Sequence, residues 1–323
     1  MKLSLKPIKL ELRVNWKLSR NEALFKDNFV IEIESQGQIG QGEIAPNIRY
    51  GETPENIKEA FDALPSFNDS NEMVEYCDGR NLLHAFKCGL VNAAIDLKSK
   101  LEGKSIEEGL GLKSLGPAPT SMSVPIMEEN LLEEYVTSIS RFPFIKIKVN
   151  ADNAISFSRK VASFTKAPLR IDANEGFKDA KSFLDFCEKT KDLNIQFMEQ
   201  PFAANDKVSY LAIRGKCPFE VMADESIEDD ADFTELSQMF DSINIKLMKT
   251  GGYLKALELI KEGKKHGLKV MLGCMIESSL GISNALRLGS LADYFDLDGA
   301  LLVKNDPFEG LVKEKEGRLA LAD

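Results

Sequence analysis

Two lysines stand two apart in "PFIKIKVN" (143–150), inside a run that otherwise reads as a buried strand. Side chains alternate across a strand, so Ile145, Ile147 and Val149 share one face, and Lys146 and Lys148 share the other. Burying neighbouring ammonium groups is costly unless that face compensates them. Residues further along supply the compensation. Asp172 ends "LRID", Glu199 ends "IQFME", Asp224 follows "EVMA", Lys246 ends "SINIK", and Asp296 and Asp298 lie in "YFDLDGA". Three carboxylates converging from successive strand ends make a hard-oxygen donor set suited to one Mg2+ per subunit, with positions left for water or substrate. Three separate salt bridges or helix caps are the plainer alternative, and the flanking lysines weigh against it. Burial and nearby positive charge, from Lys146 and the metal, are expected to lower Lys148 toward a pKa of about 7–8, where a lysine serves as a base. A metal beside such a base fits removal of a proton alpha to a carboxylate, the metal stabilising the ene-diolate.

Chemistry of this kind needs strands that deliver their ends to one place. From residue 119 onward eight strand-like runs recur: "PTSMSVPI", "PFIKIKV", "PLRIDAN", "IQFMEQP", "FEVMADE", "SINIKLMK", "LKVMLGC" and "YFDLDGA". Amphipathic helical stretches separate them, among them 128–140, 151–165, 177–191, 228–240 and 251–266. Strand and helix alternating at about 25 residues, eight times, is the pattern of a TIM barrel, whose active site lies at the C-terminal strand ends. Strands two and six then stand opposite one another, so Lys148 and Lys246 face each other across the mouth. One can remove a proton and the other return it from the far side, inverting the carbon. Lys249 competes with Lys246, but alternation in "SINIKLMK" puts Lys246 on the face of Asn244 and Met248. Strand eight stands opposite strand four, so Asp296 and Asp298 meet the far end of a substrate whose carboxylate is at the metal. Two aspartates on one face favour an ammonium. The substrate inferred is a zwitterion with separated charges, as in a dipeptide; capping of the following helix is the alternative role for the two aspartates.

The first 115 residues follow another pattern. Strand-like runs at 2–14, 28–35 and 38–44, with the turn-like "SQGQIGQG", precede helical stretches at 53–64 and 82–102. We read 1–115 as an α+β domain, "GLGLKSLGPAP" (109–119) as the linker, 116–302 as the barrel, and the tail 303–323 as packing back on the first domain. The chain has 323 residues, 43% hydrophobic and 28% charged, as befits a globular enzyme. A net charge of −10 argues against nucleic-acid and anionic-membrane partners. No run approaches the roughly 18 apolar residues of a membrane span, and "MKLSLKPIKLELRV" lacks the apolar core of a signal peptide. Five cysteines without metal spacing read as reduced thiols, so a cytoplasmic location is expected. His84 and His266 sit in helical stretches and read as structural.

Together these motifs resemble the muconate-lactonizing-enzyme branch of the enolase superfamily, and within it the dipeptide epimerases. "RYGE" (49–52) is similar to part of that family's capping domain, "IKIKV" to its lysine strand, "IDAN", "MEQP" and "ADES" to its metal ligands, and "NIKLMKTGG" to its second lysine. "MLGCMIESS" and "DLDGALL" resemble its last two strands. The resemblance implies a modified TIM barrel, (β/α)7β, under an N-terminal α+β capping domain. It implies Mg2+ at Asp172, Glu199 and Asp224, Lys148 and Lys246 as bases, and an ammonium site at Asp296 and Asp298. Lys146, Ser123, Cys274 and Met275 are the other candidate substrate contacts, the last two through backbone groups. A dipeptide is the small-molecule partner so implied, and a homo-oligomer is compatible with it. In such enzymes a loop like "KLSRNEALFKDNF" (17–29) meets the second residue of the dipeptide; Arg20 suits an acidic side chain there, Leu24 and Phe25 an apolar one. A cycloisomerase or o-succinylbenzoate synthase would share barrel, metal and lysines but leave Asp296 and Asp298 without a partner. A Schiff-base aldolase or a non-catalytic binding protein would leave the carboxylate triad unexplained.

Overall fold

The computed structural model describes residues 1–17, 22–125 and 127–322. Alternation in the N-terminal segment produces a long strand, β1 (Lys2–Lys17), paired antiparallel with β2 (Glu22–Ser35), which pairs with β3 (Gln38–Ile44). The β2–β3 turn puts Gln36 and Gly37 at φ 49° and 77°, the left-handed pair that a two-residue hairpin matching strand twist requires. One face of this sheet packs on the helix His84–Glu102, which buries Phe86, Cys88, Leu90, Ala93, Ala94 and Leu97. The approach is close enough that a Cβ on Gly42 would lie 2.1 Å from the Gly89 carbonyl oxygen. Two shorter helices, Pro54–Asp62 and Ser70–Asp78, complete the unit. The second is absent from the sequence reading, because only Ser70, Met73 and Cys77 are buried on it and its cap, Asp69, supplies much of the local signal.

Beyond a short linker strand, β4 (Ala118–Pro119), eight parallel strands follow: β5 (Ser121–Val124), β6 (Phe144–Lys148), β7 (Leu169–Asp172), β8 (Ile195–Glu199), β9 (Glu220–Ala223), β10 (Ser242–Lys246), β11 (Lys269–Gly273) and β12 (Tyr294–Asp296). Each pairs with the next in chain order, giving an eight-stranded sheet curled into the modified TIM barrel. Side chains bridge its two edge strands: Ser121 Oγ donates to Asp296 Oδ1 (2.6 Å), Ser123 N to Asp298 Oδ2 (2.7 Å), and Leu297 N to Thr120 Oγ1 (2.9 Å). Ile145, Ile147, Leu169, Ile171, Ile243 and Ile245 are buried in the layer between sheet and helices. Phe197, Met222 and Met271 form a separate cluster with Tyr294. The buried Arg170 guanidinium lies over the Phe144, Phe197 and Tyr294 rings.

Alternation in "SINIKLMK" predicts strand through Lys249, but β10 ends at Lys246. Leu247–Thr250 is a helical turn closed by Gly251 at φ 81°. At the tail, Val303 bridges Leu12 of β1 and Asn305 is bonded to Lys9 and Glu11. The hairpin β13 (Val312–Lys315) and β14 (Arg318–Leu321) pairs with β4. Among the described residues no helix is long and apolar enough to cross a membrane.

Candidate active site

Register alone gathers the charged residues. Lys148 pairs with Asp172 and Asp172 with Glu199, so three strand ends form one row. Lys246 pairs with Gly273, and Gly273 with Asp296, on the other side of the ring. Asp224, one residue past β9, joins them at the mouth. Lys146, Asp172, Glu199, Asp224, Lys246, Asp296 and Asp298 are all buried.

Lys146 is at the centre. Its Nζ is 2.8 Å from Glu199 Oε2, 3.2 Å from Asp172 Oδ2 and 2.8 Å from Asp296 Oδ2. Lys148 Nζ shares Asp172 Oδ2 at 2.7 Å and reaches Asn174 Oδ1 at 3.2 Å. Lys246 Nζ donates to Asp224 Oδ2 (2.7 Å). Lys249, fully buried, comes up from the helical turn and donates to Asp224 Oδ1 (2.5 Å) and to the Asp224 carbonyl (2.6 Å). Both candidate second bases therefore hold the same carboxylate.

The charges set one another. Burial pushes Lys246 down, but Asp224 and Glu199 outweigh it and hold it above the ordinary lysine range. Lys146 is likewise lowered by burial and raised further by Asp296, Glu199 and Asp172. In both, each ammonium lies nearer to carboxylates than to another cation, so attraction outweighs burial. Burial raises Asp172, yet Lys148 and Lys146 bring it down to about 2. Glu199 goes the other way, to about 7, through burial, with Asp172 and Asp224 adding to it against Lys146. Asp296 is lowered because Lys146, Ser121 and Arg170 overcome its burial, whereas burial and Asp296 push Asp298 up to about 6.

Among the described residues no three acidic, histidine or cysteine side chains are drawn into a ready-made metal cluster, since the lysine ammoniums stand among the carboxylates. The donor set nonetheless fits a hard divalent cation. It consists of three buried carboxylates, and Glu199 Oε2 is a buried oxygen without a hydrogen-bond donor, the Lys146 ammonium lying close but out of line.

Residues 129–323 match the family described as Enolase C-terminal domain-like. The chain belongs to that family. A relative from Maribacter sp., named L-Ala-D/L-amino acid epimerase, is 34% identical over 98% of this chain and 95% of its own length. A dipeptide epimerase from Enterococcus faecalis, solved with Mg and the dipeptide L-Leu-L-Tyr, is 26% identical with a TM-score of 0.91, covering 100% of this chain and 97% of its own. One from Cytophaga hutchinsonii, solved with Mg and D-Ala-L-Val, is 25% identical with the same score of 0.91, over 99% and 92%.

In this enolase-family chain Ser123 serves the barrel seam through its amide and accepts the Tyr135 hydroxyl on its carbonyl (3.0 Å). Cys274 donates its thiol to the Asp296 carbonyl (3.3 Å), and the Met275 amide is tied to Glu277 Oε1 (2.7 Å). Leu24 and Phe25 lie exposed on β2, with Lys9 Nζ 3.8 Å from the Phe25 ring centroid. Arg20 lies outside the described residues.

Several residues near the site escaped sequence reasoning. Gln200, at φ 38°, accepts the amides of Asp224 and Ser226 on Oε1 and so fixes the loop that carries Asp224. Glu225 is buried beside Asn174, and burial together with Asp224 raises it to about 7. From the capping domain, Arg49 reaches Glu175 (3.0 Å), and burial, with Asp224 and Glu225 nearby, raises the Tyr50 hydroxyl. The available signal was polarity directly after a strand-end acid, in "EQP" and "ADES", where a loop should otherwise begin.

Proposed function

We propose that the protein is a dipeptide epimerase that inverts the alpha carbon of the C-terminal residue in L-Ala-Xaa dipeptides by two-base proton transfer. What supports this most is the placement of Lys148 and Lys246 on strands four places apart in an eight-strand ring, each held on a different acid of one carboxylate triad. The names of the relatives favour a dipeptide over the non-amino carboxylates of cycloisomerases.

Asp172, Glu199 and Asp224 would hold Mg2+, which supplies positive charge against the substrate carboxylate as its alpha carbon loses a proton. The remaining steps belong to the chain's own residues. Asp298 receives the substrate ammonium; its partner Asp296 is already neutralised by Lys146 at 2.8 Å. Lys146 keeps its proton and presents positive charge to substrate oxygen. Lys148 and Lys246 stand on opposite faces of the alpha carbon. In each direction one accepts the proton and the other, charged, donates from the far side. The barrel interior beneath them, filled by Phe197, Met222 and Met271, excludes water from below.

The test is a library of L-Ala-L-Xaa dipeptides in D2O with Mg2+, followed by NMR. Deuterium uptake at the C-terminal alpha carbon, with inversion, is the expected result, and N-acetylation should make each substrate poor. Turnover of N-acylated or non-amino carboxylates with no exchange in any free dipeptide would overturn the reading.

A further inference from the structure

At the opposite end of the barrel two thiols face each other. Cys187 lies in the last turn of the helix Ala180–Thr190 and is 1% exposed. Cys217 lies in the loop between the helix Lys207–Ile213 and β9, and is half-buried. Their sulfurs are 3.8 Å apart and share a hydrogen bond. A disulfide needs about 2.05 Å, which side-chain rotation with a small shift of the loop can supply. The loop turns at Gly215, which sits at φ 70°, and Pro218 follows Cys217. Cys217 also lines a cavity of about 630 Å3 with Arg214, Asp241, His266 and Lys269, so small oxidants can reach it while Cys187 stays covered.

We propose that Cys217 and Cys187 form a two-electron oxidation site, Cys217 being the sulfur attacked by a peroxide and Cys187 the resolving thiol. The inequality of the pair supports this order. The hydrogen bond with Cys187 lowers Cys217 against its burial, the Phe219 amide and Arg214 aiding and Asp241 opposing, whereas Cys187 is raised by the same bond and by its burial, and only Cys217 lines the cavity. In the first step the Cys217 thiolate attacks hydrogen peroxide. An S–O bond forms, the O–O bond breaks, and the departing hydroxide takes a proton to leave as water. In the second step the Cys187 sulfur attacks Cys217. The S–S bond forms, the S–OH bond breaks, and hydroxide leaves as water with the Cys187 proton. Two thiols are oxidised and one peroxide becomes two waters. The product staples the end of one barrel helix to the loop that starts β9, and a dithiol reductant reverses it. Cys77 and Cys88 are fully buried, and Cys274 is raised by burial and by Asp298, so none competes as a thiolate.

The experiment treats the full-length protein with stoichiometric hydrogen peroxide, quenches with an alkylating agent, and maps non-reduced tryptic peptides by mass spectrometry. The expected result is loss of two thiols and a single cross-link joining peptide 182–189 to peptide 217–246. Cys187→Ser should stop at a sulfenic acid on Cys217, trapped by dimedone. Cys217→Ser should leave Cys187 reduced. Exchange activity should be unchanged by the cross-link, because the pair lies at the end of the barrel away from the lysines. Oxidation of Cys274 before Cys217, or a Cys217 that passes to sulfinic acid with Cys187 still free, would overturn the proposal. Both substitutions are small, and circular dichroism of each variant checks the fold.

Discussion

Asp224 carries two buried lysines, and that shapes what its removal does. Asp224→Asn should abolish exchange activity and also destabilise the protein by about 3–5 kcal/mol, the usual cost of stripping a buried charge of its partner; an activity assay beside urea unfolding checks both. The lysines separate by direction. Lys148→Ala should stop alpha-proton exchange of one epimer and Lys246→Ala of the other, each losing about 10²–10⁴-fold, and neither should invert the centre. NMR of proton loss, run on each epimer in each variant, reads this. Lys249→Ala should lower stability and weaken exchange of both epimers alike, since it acts through Asp224. Inversion surviving in both Lys148→Ala and Lys246→Ala would end the two-base reading. The chemistry of this layer was legible because strand alternation fixes which side charged residues take. The sense of the pKa shifts was not, because it depends on whether a carboxylate or an ammonium lies nearer, a matter of ångströms. Lys249 was hidden for a related reason: alternation continues through "KLMK" after the strand has become a helical turn.

At the scale of elements, the two domains are joined by a buried clamp. Glu43 of β3 accepts from Ser278 N (2.9 Å), Ser278 Oγ (2.5 Å) and Gly281 N (3.0 Å), capping the helix Ser279–Arg287 from another domain. Asn28 of β2 binds both Glu43 (2.9 Å) and the Ile276 carbonyl (3.0 Å). Glu43→Ala should cost about 2–4 kcal/mol in urea unfolding, as buried donors lose their acceptor. Next to it, burial and Glu43 push Glu277 up to about 8. The folded protein therefore holds a proton that the unfolded chain releases near the ordinary glutamate value of 4.5. That share of stability is complete below this lower value and is lost as pH rises through about 8. Glu277→Gln should flatten the fall in stability between pH 5 and 9; an unchanged slope would remove Glu277 as its source. Sequence patterns could not show this clamp. Its partners are 235 residues apart, and each reads locally as a polar residue beside a strand or cap. Strands and long helices were readable because periods of 2 and 3.6 repeat many times within them, whereas Lys207–Ile213 is too short for its period to register.

For the molecule as a whole, the order of strands in the sheet is their order in the chain, so the barrel could be counted off before any coordinate was known. Which tail residues make its hydrogen bonds could not. Asn305 accepts from Glu11 N (2.7 Å) and donates to the Lys9 carbonyl (2.8 Å), tying the end of the barrel to the first strand of the protein. Asn305→Ala should lower unfolding free energy by about 0.5–1.5 kcal/mol, measured by denaturant titration, because these bonds are exposed. A different economy governs the barrel seam, where Asp296 and Asp298 take hydrogen bonds from Ser121 and Ser123. Residues proposed to recognise one end of the substrate thus also close the ring. A lineage retuning that end would have to accept a looser barrel or mend it elsewhere, so this half of recognition should change slowly. Leu24 and Phe25, exposed on β2, are under no such double duty. New preferences for the second residue, which the resemblance to the dipeptide epimerases places against these two side chains, could then accumulate around them without risk to the fold.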